Sequence, residues 1–351
     1  MEIEDFMSLK ERFADQLMAL TNVTSVGIGR KVTKGEETEE MAVVVGVMEK
    51  IPDKLLKTQN ITPIPETLEG IKTDVIQVGE IRALPIQQTD SDRVRRIRPA
   101  KGGFSLGNVA ITAGTFGCVV YRDSEPFILS NAHVLTPDAT EPEPAAREIV
   151  QPGIYDGGSH PDDYIAELAD YEVIHPMIKL SDCRISQGTA GFLNVIARGF
   201  RRQTRFQAIA HSQDTNLVDA AICRPTNQDL IDPAVEDVGI PTGNVVATIG
   251  QPVVKSGRTT GTTRGEIKQV GVSVNVNYGF LTIARLRDQI LIKGTGEFPF
   301  SKGGDSGSII FRDDGEQQVT GLLFAGNDEE NVTIANKIEN VLELLNVTLV
   351  S

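Results

Sequence analysis

Lys302-Gly303-Gly304-Asp305-Ser306-Gly307-Ser308 runs directly into Ile309-Ile310-Phe311. A serine set between glycines, with an aspartate just before it, meets the needs of a nucleophile turn. Small neighbours let the backbone turn tightly and let a carbonyl group come close. The same turn can aim the N–H groups of Gly304 and Ser306 at one point, where a developing oxyanion would be held. The apolar run that follows reads as a buried strand that keeps the turn rigid. Gly, Asp and Ser are also ordinary turn residues, so a plain surface turn is the competing reading of the hexapeptide alone.

Two distant stretches favour the chemical reading. Pro126-Phe127-Ile128-Leu129-Ser130-Asn131-Ala132-His133 is an apolar strand that delivers a histidine at its end. Asn216-Leu217-Val218-Asp219-Ala220-Ala221-Ile222 is a second apolar run with one carboxylate in its middle. A hydroxyl nucleophile needs a base to take its proton, and the base needs an acceptor that fixes its tautomer. The other histidines, His160, His175 and His211, sit in a polar loop, before a proline and away from a clear strand end. Asp162, Asp163, Asp170, Asp182 and Asp214 lack the apolar setting of Asp219, where a buried carboxylate requires a partner.

With these residues in hand the chain resembles the trypsin-like (chymotrypsin-fold) serine peptidases. Ser130-Asn131-Ala132-His133, Asp219-Ala220-Ala221-Ile222 and Gly303 to Ser308 are similar to their histidine, aspartate and serine motifs, in the same chain order. Lys255-Ser256-Gly257-Arg258-Thr259-Thr260-Gly261 resembles a segment of the bacterial secreted members of alpha-lytic and streptogrisin type. Gly321-Leu322-Leu323-Phe324-Ala325-Gly326 stands where the family's substrate-pairing strand follows the serine. The likeness covers roughly residues 102–345.

The resemblance implies a mainly β fold: two antiparallel β-barrels and a C-terminal helix, here preceded by a small α/β N-terminal domain. It implies a serine endopeptidase acting on protein or peptide substrates through an acyl-enzyme on Ser306. His133 would be general base and then general acid, and Asp219 would orient it. Gly304 and Ser306 would supply the oxyanion hole. Asp305 would shape that loop by pairing with an internal cation, Lys255, with Arg258 as the alternate, so that no freed N-terminus is needed. The walls of the first substrate pocket would be Phe300, Ser301 and Lys302 on one side and Leu323, Phe324, Ala325 and Gly326 on the other. Phe300 stands where trypsin carries its pocket aspartate, which implies a small or apolar pocket, while Lys302 nearby could admit an acidic residue. A non-catalytic binding or scaffold protein on the same fold, and an ester hydrolase using the same three side chains, are the alternatives.

Bulk properties bound the partners. The chain has 351 residues and 40% hydrophobic content, enough for a sizeable core. A net charge of −14 argues against nucleic acid or an anionic membrane surface as the main partner. Three cysteines, Cys118, Cys183 and Cys223, are too few and too odd for a disulfide framework and are expected as buried small hydrophobes. The acidic start Met1-Glu2-Ile3-Glu4-Asp5 lacks a basic and then apolar leader, and no run of about twenty apolar residues occurs. A cytoplasmic location is the expectation from these features, and the resemblance implies a bacterial enzyme. No metal or cofactor is expected, because no Cys/His pair has ligand spacing and no phosphate loop is present.

Domain organisation follows from the punctuation. Residues 1–88 read as the small α/β unit: a helix over 5–20 with Ser8 and Glu11 at capping-box spacing, then strands at 22–31, 41–47 and 73–81. No chemistry is visible there; Gly27-Ile28-Gly29 is too short for a dinucleotide loop. Its position suggests a folding, inhibitory or partner-sensing module, with a regulatory protein partner as one option. Residues 89–103, with Arg93, Arg95, Arg96, Arg98 and Lys101, read as a solvated linker, a processing site being the alternative. The peptidase-like region then spans 104–351, with a first barrel over 104–235 and a second over 236–330. Within them, 187–200 is expected as an inserted helix whose apolar face holds Phe192, Val195, Ile196 and Phe200. Residues 279–285 are expected as a strand and 332–346 as a terminal helix.

Overall fold

In this computed structural model the described residues are 2–56, 58–83, 86–212, 214–279 and 282–350. The chain is mainly β, and its strands form two large sheets. The long strand Gly261–Asn277 organises the larger one. Its first residues pair antiparallel with Pro252–Gly257, its middle with Val23–Thr33, and most of its length with Ile283–Gly294. Pro252–Gly257 also pairs with Ile309–Arg312, which leads through Gln318–Asn327 and Val332–Lys337 back to Ile283–Gly294. These six strands therefore close into a ring, which removes their free edges. Ile267, Ile290, Ile292, Phe300, Ile310 and Leu323 pack together in one of its cores.

The N-terminal strands extend this same sheet. Val23–Thr33 and Glu36–Val47 form a hairpin, and Ile71–Gln77 adds parallel to the second strand. The helix Ile3–Met18 covers them, setting Phe6, Leu9, Leu17 and Met18 in one cluster with Val26, Ile28, Val43 and Val45. Its capping box lies at Glu2 and Asp5 rather than at Ser8 and Glu11, because the helix starts two residues earlier than the apolar spacing marks. Lys10 on this helix is fully buried and donates to Ser273 Oγ of the long strand at 2.9 Å, a second tie between the N-terminal segment and the ring.

The other sheet has seven strands in the order Gly114–Thr115, Ser105–Asn108, Glu148–Val150, Tyr164–Tyr171, Ala221–Pro225, Glu125–Ser130 and Cys118–Arg122. Leu106, Phe116, Ile128, Ile149, Ile165 and Leu168 fill its core.

Three expectations need correction. The stretch 89–103 is built into the molecule: Arg93 is 8% exposed, donates to Ser256 and pairs with Asp237 at 2.7 Å, and Ala100–Gly102 pairs parallel with Ile231–Val235. A run of arginines looks solvated only when its acidic partner is distant in sequence, as Asp237 is. The segment 332–346 begins as the strand Val332–Lys337, and the helix spans only Ile338–Leu344; β-branched Val332, Thr333 and Ile334 favour the sheet. The inserted helix is present over Arg184–Gly199, in the connection between the antiparallel pair Ile178–Leu180 and Ile209–His211, and its apolar face is open, with Phe192 65% and Phe200 76% exposed. Helical spacing reports a face, not what covers it. Of the three free cysteines, Cys118 and Cys223 are buried and their thiols pushed up by that burial, but Cys183 is exposed, and hydrogen bonds with Ser186 lower it. Of the expected strand 279–285, Phe280 and Leu281 lie outside the described residues; the observed strand starts at Ile283.

Candidate active site

The strand Glu125–Ser130 ends in Asn131, which opens the single helical turn Ala132–Leu135 and so turns His133 out of the sheet. Asp219 lies just before the adjacent strand Ala221–Pro225, which pairs Ala221 with Ser130. This register brings the two side chains together. His133 Nδ1 is 2.5 Å from Asp219 Oδ2, and the His133 backbone N–H donates to Oδ1 at 3.3 Å. Asp219 is completely buried, while the His133 side chain is 19% exposed, so one ring edge is held and the other reaches the solvent side.

The sequence reading missed two residues that hold this pair. Tyr278, just past the long strand, donates its hydroxyl to Asp219 Oδ2 at 3.0 Å and packs edge-on to the His133 ring, with centroids 5.8 Å apart. Burial, reinforced by the neighbouring carboxylate, pushes the Tyr278 hydroxyl well above its ordinary pKa, so it remains a donor. Asn336, on Val332–Lys337, accepts from the Asp219 backbone N–H and donates to its carbonyl, both at 3.1 Å. Asn131 donates to the same carbonyl at 2.7 Å. With both carboxylate oxygens and both backbone groups engaged, Asp219 is fixed in place. The only signal in sequence was polar type in a β-rich run, which does not identify a partner.

Ser306 lies in the turn between Lys302 and Ile309. Gly304 and Gly307 have φ of +100° and +95°, a region closed to most side chains. A Cβ at Gly307 would stand 2.3 Å from the Thr115 carbonyl, so the turn depends on glycine for space as well. The turn is locked to the other sheet: Thr115 N–H donates to the Ser306 carbonyl at 2.8 Å, and Thr115 Oγ1 to that of Gly304 at 2.9 Å. Among the described residues, the N–H groups of Gly304 and Ser306 donate to nothing. Ser306 Oγ donates to the Phe324 carbonyl at 3.4 Å and makes no hydrogen bond to His133, although both residues line one cavity of about 720 Å³. A rotation of the hydroxyl about χ1 is a low-barrier change, and such bonds are often long before substrate binds.

Asp305 points away from the cavity. It is fully buried and accepts from the backbone N–H groups of Thr259, Thr260 and Lys302 at 2.8, 3.1 and 3.0 Å, and from the Thr260 hydroxyl at 2.7 Å. Lys255 Nζ, equally buried, lies 3.6 Å from it. Burial lowers the Lys255 pKa, and Asp305 opposes that shift. Arg258 turns instead to Asp156, and its guanidinium borders Gly304. Phe300 packs in the ring core among Ile267 and Ile292, 5.9 Å below Lys255 Nζ, and Ser301 Oγ is hydrogen-bonded to Thr333. Phe300, Ser301, Lys302, Leu323, Phe324, Ala325 and Gly326 are not among the residues lining the cavity. Its walls are Ile111, Ala113, Val134, Ile174, Tyr278 and, from the N-terminal segment, Arg82, Ala83 and Ile86. Among the described residues there is no cluster of potential metal ligands and no helix long and apolar enough to cross a membrane.

No family model matches the sequence, and none of the curated proteins does. Similar solved structures are serine proteases. A glutamic-acid-specific serine protease described as using a histidine triad in substrate binding is 18% identical, over 71% of this chain and 99% of its own, with a TM-score of 0.42. Protease A of Thermobifida fusca is 16% identical, over 71% and 96%, with a TM-score of 0.43. Cellulomonas bogoriensis chymotrypsin is 15% identical over the same shares, with a TM-score of 0.40.

Proposed function

We propose that the chain is a serine endopeptidase of chymotrypsin type, with the closed ring as its second barrel and the seven-stranded sheet as its first. The observation that carries the reading is the buried Asp219 carboxylate gripping His133 Nδ1 at the mouth of a cavity that also holds Ser306 and two unpartnered N–H groups. Nδ1 held as a donor leaves Nε2 as the acceptor. In the reaction Ser306 Oγ attacks the substrate carbonyl carbon while Nε2 takes its proton. The N–H groups of Gly304 and Ser306 hold the oxyanion, and the imidazolium then protonates the departing amine. Water repeats the sequence on the acyl-enzyme. Asp305 and Lys255 keep the N–H groups aimed without touching substrate. Phe324 to Gly326 offer an edge to which an extended peptide adds as a strand. Three free cysteines suit a reducing compartment, and a regulated processing role is consistent with an N-terminal segment that contributes walls to the cavity.

Incubation of the full chain with a peptide library, with the Ser306→Ala chain as blank, tests the reading. New peptide termini are expected only with the wild-type chain. Identical termini in both samples would exclude it.

A further inference from the structure

The N-terminal segment does more than border the cavity. Its backbone occupies the edge on which a substrate must bind. Arg82 N–H donates to the Gly326 carbonyl at 3.1 Å, and Gly326 N–H donates back to the Arg82 carbonyl at 2.9 Å, an antiparallel pair. On the opposite side, Asn277 N–H donates to the Ile81 carbonyl at 3.0 Å, and Ala83 N–H to the Asn277 carbonyl at 3.1 Å. The segment is thus threaded between the ends of two strands. Side chains fasten it there: Asn277 and Asn327 donate to the Glu80 carboxylate and carbonyl at 2.7 and 3.1 Å. Farther on, Gln87 N–H donates to the Gly303 carbonyl at 3.3 Å, one residue before the first oxyanion donor, and Arg258 donates to the Gln87 carbonyl. Arg82, Ala83 and Ile86 all line the cavity that contains His133 and Ser306.

Antiparallel register makes the consequence specific. A peptide that pairs with Gly326 reaches Phe324 two residues later, and the Phe324 carbonyl is the one bonded to the Ser306 hydroxyl. An incoming peptide therefore needs the Gly326 N–H and C=O that Arg82 now uses. We infer that residues 80–83 act as a built-in competitor, a strand of the chain itself laid in the peptide-binding edge, so that the site opens to substrate only when this segment is displaced. The inference rests on the peptidase reading for its consequence in catalysis, but not for the occupancy. A small acyl group needs no strand pairing and reaches Ser306 regardless. A peptide pays an occupancy penalty equal to the fraction of molecules in which the segment is out of place.

The test uses the full-length chain and a fluorescent peptide of its own sequence, Ile-Arg-Ala-Leu, corresponding to residues 81–84. Arg82→Pro deletes the N–H donated to Gly326, and Ala83→Pro deletes the one donated to Asn277; each removes a different bond, so both are not lost to a single folding defect. Arg82 is an exposed residue, and a melting curve like the wild type's certifies the fold. The expected result is peptide binding about tenfold or more tighter in both variants than in wild type. Peptide kcat/KM should rise by the same factor while the rate of a small fluorophosphonate changes little. Tighter binding with no cleavage in any chain would uphold the occupancy and refute the peptidase reading. Equal binding and equal kcat/KM in all three folded chains would overturn the occupancy and leave the peptidase reading standing.

Discussion

The Ser306→Ala chain is expected to hydrolyse peptides on the order of 10⁴-fold or more slowly than wild type, because only binding and the oxyanion donors remain to lower the barrier. Asp219→Asn should fall by a comparable factor, on the order of 10⁴. The reason is geometric. His133 Nδ1 and Tyr278 Oη converge on the same carboxylate oxygen at 2.5 and 3.0 Å. An amide there can turn its NH₂ toward His133 and force Nδ1 to accept. Nε2 then carries the proton and cannot act as base. The double variant should be no slower than the Ser306→Ala chain alone, since the two groups act in one step. Steady-state rates of the three chains measure this. A full additive loss in the double variant would separate Asp219 from the reaction.

The second large effect concerns stability. Lys255 and Asp305 are a fully buried pair, and removing one charge leaves the other uncompensated. Lys255→Met should cost about 3–5 kcal/mol of folding free energy. Asp305→Leu should cost at least as much, because it also strands the N–H groups of Thr259, Thr260 and Lys302, all of which now donate to that carboxylate. Those three bonds shape the turn that presents Gly304 and Ser306. Urea unfolding gives the first quantity, and kcat of whatever folds gives the second. A variant with wild-type midpoint and wild-type kcat would show that the pair supports neither.

How much of this was readable beforehand follows from where each signal resides. Ser306 sits in a turn whose glycines are required by φ and by space, and such requirements are written in adjacent letters. His133 and Asp219 were visible because each is a polar residue in an apolar run. Tyr278 and Asn336 were not, since their value comes from Asp219, 59 and 117 residues away: Tyr278 bonds its carboxylate and Asn336 its backbone. Arg93 failed for the same reason: its partner Asp237 is 144 residues on, and the local string alone looks solvated. The N-terminal strands were legible as strands, but their partner was not. Nothing in Val23–Thr33 names Gly261–Asn277 as the neighbour, so the joining of the segment to the larger sheet emerged only from the pairing. Phe300 shows the limit of transferring a motif by counting. The residue six before the serine faces the core here, not the cavity.

The most direct measurement is reaction of the full-length chain with a small fluorophosphonate, followed by mass spectrometry of the peptide containing Ser306. One adduct per chain on Ser306, formed rapidly in wild type and slowed by orders of magnitude in His133→Ala, is the predicted result. A wild-type chain that stays unmodified, or that is modified at the same rate without His133, would contradict the convergence of these side chains into one reactive site.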